Sequence, residues 1–281
     1  MQGEDLLTKR NSVAKLPRAN KDLGQHFLKD KSVIDKIVTD TPESYDAIVE
    51  VGPGPGALTG SLSEIGKPLY LIEMDTRFEE RLQLPNVKEI FFQDAMKFNW
   101  PEFLENEGLK GKKIWMVSNL PYNVSSQLFV QFTKVQEITK MTLMYQKEVG
   151  EKTYFRQGVK NQANSLLVLS QTYLDSKLLV KVSPGAFLPP PKVDSVVVSY
   201  LRKPVPLVDL NDVSELEAFL RKLFAMKRKQ IGSVLKSWPE GKAFLEVLKS
   251  QDFDTTLRSE ALSIETALSL FKLYKNHRSA Q

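Results

Sequence analysis

Asp46-Ala47-Ile48-Val49-Glu50-Val51-Gly52-Pro53-Gly54-Pro55-Gly56 passes from a short apolar run into alternating glycines, and a helical stretch begins near Leu58. A brief apolar, β-branched run bounded by glycine reads as a buried strand. A strand that feeds through glycines into a helix is the ligand-cradling unit of a doubly wound α/β fold. Glycine lets the backbone approach a bound group, and the start of the helix offers unpaired N–H groups. The spacing is G-x-G-x-G, not the G-x-G-x-x-G of nicotinamide enzymes, and no Walker lysine follows. Alone, the turn specifies only the fold.

The next segments repeat the strand reading. Residues 67–72 form a second strand ending at Glu73, with Asp75 just beyond; 87–92 a third, ending at Gln93-Asp94; and 114–118 a fourth, ending at Asn119. Each finishes in a polar residue, as Glu50 and Gly52 finish the first. Ligands of open α/β sheets lie outside the carboxyl ends of the strands. Glu73 stands 21 residues beyond Gly52, where an acid can accept hydrogen bonds from both hydroxyls of a ribose. Asp94 is placed to take the amine of an adenine lying across the sheet. Asn119-Leu120-Pro121-Tyr122 is a stiff turn, because proline cannot continue a central strand and biases the residue before it toward an extended backbone. It offers an amide, free carbonyls and an aromatic face, a set suited to a planar, amine-bearing base. The same spacing also occurs in plain turns.

Further strands are expected at 141–145, 177–182 and 194–201, with helices at 125–135 and 165–173 and a mobile segment at 153–161. Between the last two strands the prolines of Phe187-Leu188-Pro189-Pro190-Pro191 hold a loop extended with Phe187 presented at its middle. Arg202-Lys203-Pro204-Val205-Pro206 is the best linker candidate. After it only helical periodicity appears, in Leu216, Phe219, Leu220, Leu223 and Phe224, then Ile231, Val234 and Leu235, then 244–248 and 264–274. The division expected is a flexible basic arm over 1–20, an α/β domain over 21–204 and a small all-α domain over 205–281.

Composition narrows the partners. Hydrophobic content of 42% and charged content of 26% place the chain among ordinary globular proteins. With no cysteine and two distant histidines, His26 and His277, neither a disulfide framework nor a metal centre is expected. No apolar run is long enough to span a bilayer and no signal core opens the chain, so a cytoplasmic protein is expected. The net charge is +5 but unevenly spread. Lys9, Arg10, Lys15, Arg18 and Lys21 form one acid-free block; Arg221, Lys222, Lys227, Arg228, Lys229 and Lys236 form another. One-signed blocks favour a polyanionic partner, though a solvated helix face would show the same charges. A monomer is favoured because no spare apolar helix face stands out.

Taken together the motifs resemble the ribosomal RNA adenine N6-dimethyltransferase family over essentially the whole chain after the arm. The resemblance rests on Gly24-Gln25-His26-Phe27-Leu28, Glu50-Val51-Gly52-Pro53-Gly54, Ile72-Glu73-Met74-Asp75 and Gln93-Asp94-Ala95-Met96. It extends to Asn119-Leu120-Pro121-Tyr122-Asn123, Gln146-Lys147-Glu148-Val149 and Phe187 to Ser195. It implies a Rossmann-like class I methyltransferase fold with a seven-stranded, mostly parallel sheet and a small helical C-terminal domain. S-adenosyl-L-methionine is the implied donor, with the backbone at His26 and Leu28 and the Gly52 turn at its methionine end, Glu73 on its ribose, Asp94 on its adenine, and Asn119 between donor and target. Tyr122 and Phe187 would sandwich the target adenine, and Leu120 and Pro121 would offer carbonyls to its amine. The implied partner is small-subunit rRNA within an immature 30S particle, contacted by Arg221, Lys222, Lys227, Arg228 and Lys229. The implied reaction dimethylates two adjacent adenosines of a 3′-terminal hairpin loop. A large-subunit resistance methyltransferase and a non-catalytic assembly factor are alternatives on the same scaffold. Two departures stand out: His26 occupies a position often held by asparagine, and Asn164-Ser165 replaces a Gly-Arg pair. The first matters little if the contact there is through the backbone.

Overall fold

The computed structural model describes residues 17–20, 24–226 and 228–279. The basic arm therefore lies almost entirely outside the described residues, as does Lys227. The strands are β1 (Phe27–Leu28), β2 (Ala47–Val51), β3 (Leu69–Glu73), β4 (Val87–Phe92), β5 (Ile114–Asn119), β6 (Ile138–Gln146), β7 (Leu174–Val182), β8 (Phe187–Leu188) and β9 (Ser195–Arg202). Among them run helices α1 (Lys31–Val38), α2 (Thr59–Ser63), α3 (Glu79–Leu82), α4 (Trp100–Asn106), α5 (Ser125–Lys134), α6 (Lys147–Gly150) and α7 (Ser165–Tyr173). After β9 come α8 (Val213–Leu223), α9 (Ile231–Lys236), α10 (Gly241–Ser250) and α11 (Ile264–Ser279).

Seven strands form one sheet in the order β4-β3-β2-β5-β6-β9-β7. β4 through β6 pair in parallel, while β9 is antiparallel to both β6 and β7. The expected mostly parallel, seven-stranded sheet is present. Parallel strands buried on both faces read as near-continuous apolar runs, and β2, β3 and β5 do. Side chains alternate between two layers: Ala47, Val49 and Val51 join one apolar cluster, and Ile48 joins the other. With β2 at the centre of the five parallel strands, its carboxyl end and those of β3, β4 and β5 open on a single edge. A two-stranded antiparallel ladder, β1 with β8, lies apart from the main sheet, pairing Leu28 with Phe187 and Phe27 with Leu188.

Two polar clasps fasten the outer elements. At the end of α1, Asp40 accepts from Lys140 Nζ at 2.9 Å and Thr142 Oγ1 at 2.8 Å on β6, and from Ser199 Oγ at 3.1 Å on β9. Lys140 also donates to Ser199 at 2.7 Å, and Trp115 Nε1 donates to Thr142 at 3.0 Å, so the buried pair is well satisfied. Arg202 donates to the carbonyls of Thr133, Val135 and Ile138 at 2.8–3.0 Å. It thereby closes the carboxyl end of α5, where the helix dipole favours a cation. Burial lowers its pKa to about 10.

The expected linker is not a loose tether. Lys203 donates from its backbone N–H to Tyr173 and from Nζ to Gln171, and Leu207 N–H donates to Thr172, lacing the segment to the end of α7. The helices beyond it share one apolar cluster with the sheet, in which Leu216, Phe219 and Leu220 of α8 join Phe129, Phe132 and Val168 of α5 and α7. The segment expected to be mobile is also tied down: Thr153 is buried against Gly150 and Tyr200, and Gln162 bonds to Arg156 and Val159.

Candidate active site

A cavity of about 270 Å³ lies at the carboxyl edge of the sheet. Its lining includes His26, Leu28, Gly52, Glu73, Asp94, Asn119, Leu120, Pro121 and Tyr122. Four successive strand ends and the segment before α1 therefore meet in one cleft.

Each wall has a local cause. Gly52, Gly54 and Gly56 have φ of +68°, +55° and +90°, a region that disfavours residues with a Cβ. A Cβ on Gly54 would meet the Phe27 ring only at an ordinary contact distance of 3.5 Å, so the positive φ is what selects glycine there. Glu73 holds this turn in place: Oε2 accepts from Gly54 N–H and Oε1 from Asp75 N–H, both at 2.8 Å. Burial raises its pKa while those N–H groups oppose the shift. Each oxygen keeps acceptor capacity for a sugar hydroxyl. Asp94 accepts from Met96 N–H through Oδ1 at 2.9 Å. Asp75 takes two bonds from the Arg77 guanidinium, one from the Arg77 backbone N–H and one from Gln25 Nε2 at 2.8 Å, the last fixing the 24–28 segment against the end of β3. The Arg77 guanidinium holds its carboxyl well below the usual range.

At Asn119, a residue of the cleft wall, the side-chain Nδ2 donates to the His26 carbonyl at 3.1 Å, so Oδ1 is the amide's acceptor. The Pro121 carbonyl accepts from Val124 N–H at 3.2 Å, so Leu120 supplies the freer acceptor. The Tyr122 hydroxyl is bonded to Ser195 Oγ at 2.8 Å, anchoring the far end of the ring, and burial raises its pKa.

Phe187 departs from expectation. It is 1% exposed, packed in the apolar cluster with Leu28, Met144 and Val197, and it does not line the cleft. The loop does not run extended throughout, since Pro184–Ala186 make a 3-10 turn, and strand pairing of β8 with β1 turns Phe187 inward. The ring that lies on Tyr122 is instead His26, with centroids 5.6 Å apart and planes 26° from parallel.

Glu50 is a further cleft residue, visible in the sequence as a lone acid in an apolar strand but given no role there. It is 2% exposed, and neither its Oε2 nor Thr59 Oγ1 has a hydrogen-bond partner of good geometry. Burial raises its pKa to about 8; the Thr59 hydroxyl offsets part of this, and the neighbouring Glu73 adds to it. A buried carboxyl with an unpartnered oxygen at a cleft wall suits a ligand ammonium, whose charge would favour its ionisation. The native carboxyl keeps its proton up to about pH 8, whereas the ordinary value is 4.5. Between those values the folded state binds the extra proton, so this group's contribution to stability falls as pH rises. Glu50→Gln is expected to flatten that fall when urea unfolding is compared at pH 5 and pH 8. Parallel pH profiles for the two proteins would refute the assignment.

The basic residues fare differently from one another. Arg221, Arg228 and Lys229 are exposed. Lys222 is engaged by Glu240 at 3.3 Å and lies over the Trp238 ring. Asn164 caps α7 by accepting from Leu166 and Leu167 N–H at 3.0 and 3.1 Å. No helix among the described residues is long and apolar enough to cross a membrane.

Residues 17–276 match the family model described as ribosomal RNA adenine dimethylase. The chain is 36% identical over 253 residues to the ribosomal RNA small subunit methyltransferase A of Clostridium botulinum (strain Okra / Type B1), covering 88% of this chain and 90% of that protein. It is 34% identical over 263 residues to the protein of the same description from Buchnera aphidicola subsp. Baizongia pistaciae, covering 92% and 96%. Among solved structures, a dimethyladenosine transferase from Plasmodium falciparum superposes with a TM-score of 0.71 at 24% identity, over 89% of this chain and 98% of that one. The 23S rRNA methyltransferase ErmE superposes at 0.64 and 23% identity, over 89% and 99%. At those identities the two likenesses speak for the fold.

Proposed function

Because this chain belongs to the ribosomal RNA adenine dimethylase family, we propose that it dimethylates adenosine N6 amines in small-subunit ribosomal RNA, with S-adenosyl-L-methionine as donor. The carrying observation is the convergence of Glu50, the Gly52 turn, Glu73, Asp94 and Asn119-Leu120-Pro121-Tyr122 on one cleft. The donor supplies an electrophilic methyl group. The residues present fit it: Glu50 and the backbone at His26, Leu28 and Gly52 would hold its methionine end, Glu73 its ribose, and Asp94 its adenine amine.

An exocyclic adenine amine is a poor nucleophile because its lone pair is delocalised into the ring. Asn119 Oδ1 and the Leu120 carbonyl would each accept an N–H of that amine, drawing the nitrogen toward tetrahedral geometry. Its lone pair is then aimed out of the ring plane. No side chain is required to take the proton, since a methylated amine cation is acidic. Catalysis in this reading is orientation and local electrostatics. Tyr122 offers its face to an extruded base, which recovers part of the cost of unstacking.

Our reading extends to the setting. The targets are two adjacent adenosines of a 3′-terminal hairpin loop, presented by an immature 30S particle to a monomeric cytoplasmic enzyme. The unit over 21–204 carries the cleft, and Arg221, Lys222, Lys227, Arg228 and Lys229 of the unit over 205–281 contact RNA, with the arm over 1–20 adding basic charge. Labelled methyl transfer to undermethylated 30S and 50S particles tests this. Incorporation confined to adenine of the 30S particle is expected. Label in the 50S particle would favour the resistance-type reaction, and none in either, with donor binding intact, would favour a non-catalytic assembly factor.

A further inference from the structure

The chain that leaves β6 runs along the same sheet edge as the cleft. Asn119 ends β5 opposite Met144 of β6, and Gln146 pairs with Ser195, whose hydroxyl holds Tyr122. From there α6 is pressed onto the sheet at Gly150, where a Cβ would overlap Val196 Cγ2, so only glycine allows the approach. Thr153 follows, buried, with Oγ1 donating to the Gly150 carbonyl at 2.7 Å, and Tyr154 is buried after it. Residues 156–162 then close on themselves. Gln162 accepts from Arg156 N–H and returns its amide to the carbonyls of Arg156 and Val159, at 3.0–3.1 Å. Between these two anchors Phe155 emerges 58% exposed, and Val159 is 41% exposed.

Single exposed apolar side chains are ordinary on a protein surface. This ring differs in being carried by a loop clamped on both sides of it, so little ordering is needed when a partner arrives. Its surroundings are cationic: residues 147–162 hold Lys147, Lys152, Arg156 and Lys160 against Glu148 and Glu151. Both acids are engaged within the loop, Glu148 by Lys152 at 2.8 Å and Glu151 by Arg156 at 3.1 Å. Lys147 and Lys160, both exposed, make up the surplus charge. Two apolar side chains are too small a patch for a stable protein interface, which needs about 800 Å² per partner. An aromatic ring beside cations instead matches an unpaired nucleotide, whose base stacks on aromatic faces while its phosphate attracts lysine.

We propose that Phe155 is a stacking platform for a second nucleotide of the substrate, one that lies outside the cleft and is not itself methylated, with Lys147 and Lys160 on neighbouring phosphates. This rests on the RNA reading above. None of the motifs that carry the family resemblance includes Phe155, so the platform belongs to this chain's own loop. A base held there keeps the strand in place while its neighbour is extruded. Its loss therefore shows in RNA affinity and KM, and the methyl-transfer step itself is spared.

The test compares Phe155→Ala, Phe155→Leu, Phe155→Tyr and Lys160→Ala. It measures affinity for undermethylated 30S particles at several salt concentrations, kcat and KM of methyl transfer, and donor affinity by calorimetry. The alanine and leucine variants are expected to weaken particle binding and raise KM roughly 5- to 150-fold, the span of one base–aromatic stack. Tyrosine keeps wild-type values, and kcat, donor affinity and thermal midpoint move little in all three. Their salt slope is unchanged because a stack releases no counterions, whereas Lys160→Ala lowers it by about 1. Leucine matching the wild type would overturn the proposal, since apolar contact without stacking would then suffice. Alanine at wild-type affinity would overturn it too, and an unchanged slope in Lys160→Ala would overturn the phosphate contact. Failure of the RNA reading is separately visible, because the wild-type protein would then neither bind nor methylate the particle.

Discussion

Asn119→Ala is expected to cut methyl transfer by about 10²–10³-fold, the usual cost of removing one preorganised polar group from a reacting centre. Donor affinity should fall far less, because in the proposed reading Glu50, Glu73, Asp94 and the glycine turn would hold most of that molecule. Loss of Oδ1 leaves the target amine planar and poorly aimed, so the deficit belongs in the single-turnover rate. The substitution also strips the His26 carbonyl of its 3.1 Å partner. That effect is on stability, about 1 kcal/mol, and thermal melting measures it separately. Turnover near the wild-type rate would remove Asn119 from the mechanism.

Lys140→Met is expected to destabilise the fold by about 3–5 kcal/mol, the cost of leaving a buried charge without its counter-ion. Asp40 would keep its bonds from Thr142 and Ser199 but lose the ammonium 2.9 Å away. The double replacement Asp40→Leu with Lys140→Met should recover most of the loss, because paired removal strands no charge. Urea unfolding reads both, as a fall in midpoint at unchanged slope. A change of under about 1 kcal/mol, the size of a surface pair, would mean the pair is solvated. The network matters for the cleft because it fastens the far end of α1, whose near end continues from the 24–28 segment that lines it.

Much of this architecture was legible in the residues. The β2 strand, its glycines and the polar ends of β3, β4 and β5 are local signals, and parallel pairing brings those ends to one edge. Pro121 likewise announces a rigid turn wherever the chain goes. What escaped detection depends on distant pairing. Nothing near Phe187 in the chain reveals that Leu28 is its ladder partner, so an aromatic among prolines read as a presented ring. Lys222 looked like one charge of a basic block until folding brought Glu240 and Trp238 beside it. Asn164 stood out only as part of a departure from a Gly-Arg pair, yet its side chain caps the start of α7. Glu50 could have been found: an acid inside an otherwise apolar, doubly buried strand is costly enough to demand a reason.

The apolar cluster running from the sheet into α8 has a mechanical consequence. Because α8, α9, α10 and α11 share one apolar cluster with the sheet, the exposed Arg228 and Lys229, if they grip RNA as proposed, would do so from the same packed body that carries Tyr122. The span between them would then act as a gauge. A polyanion gripped at one end could offer a base at the other only if its own shape matched that length, a selection of folded RNA by dimension in which no letter of its sequence is read.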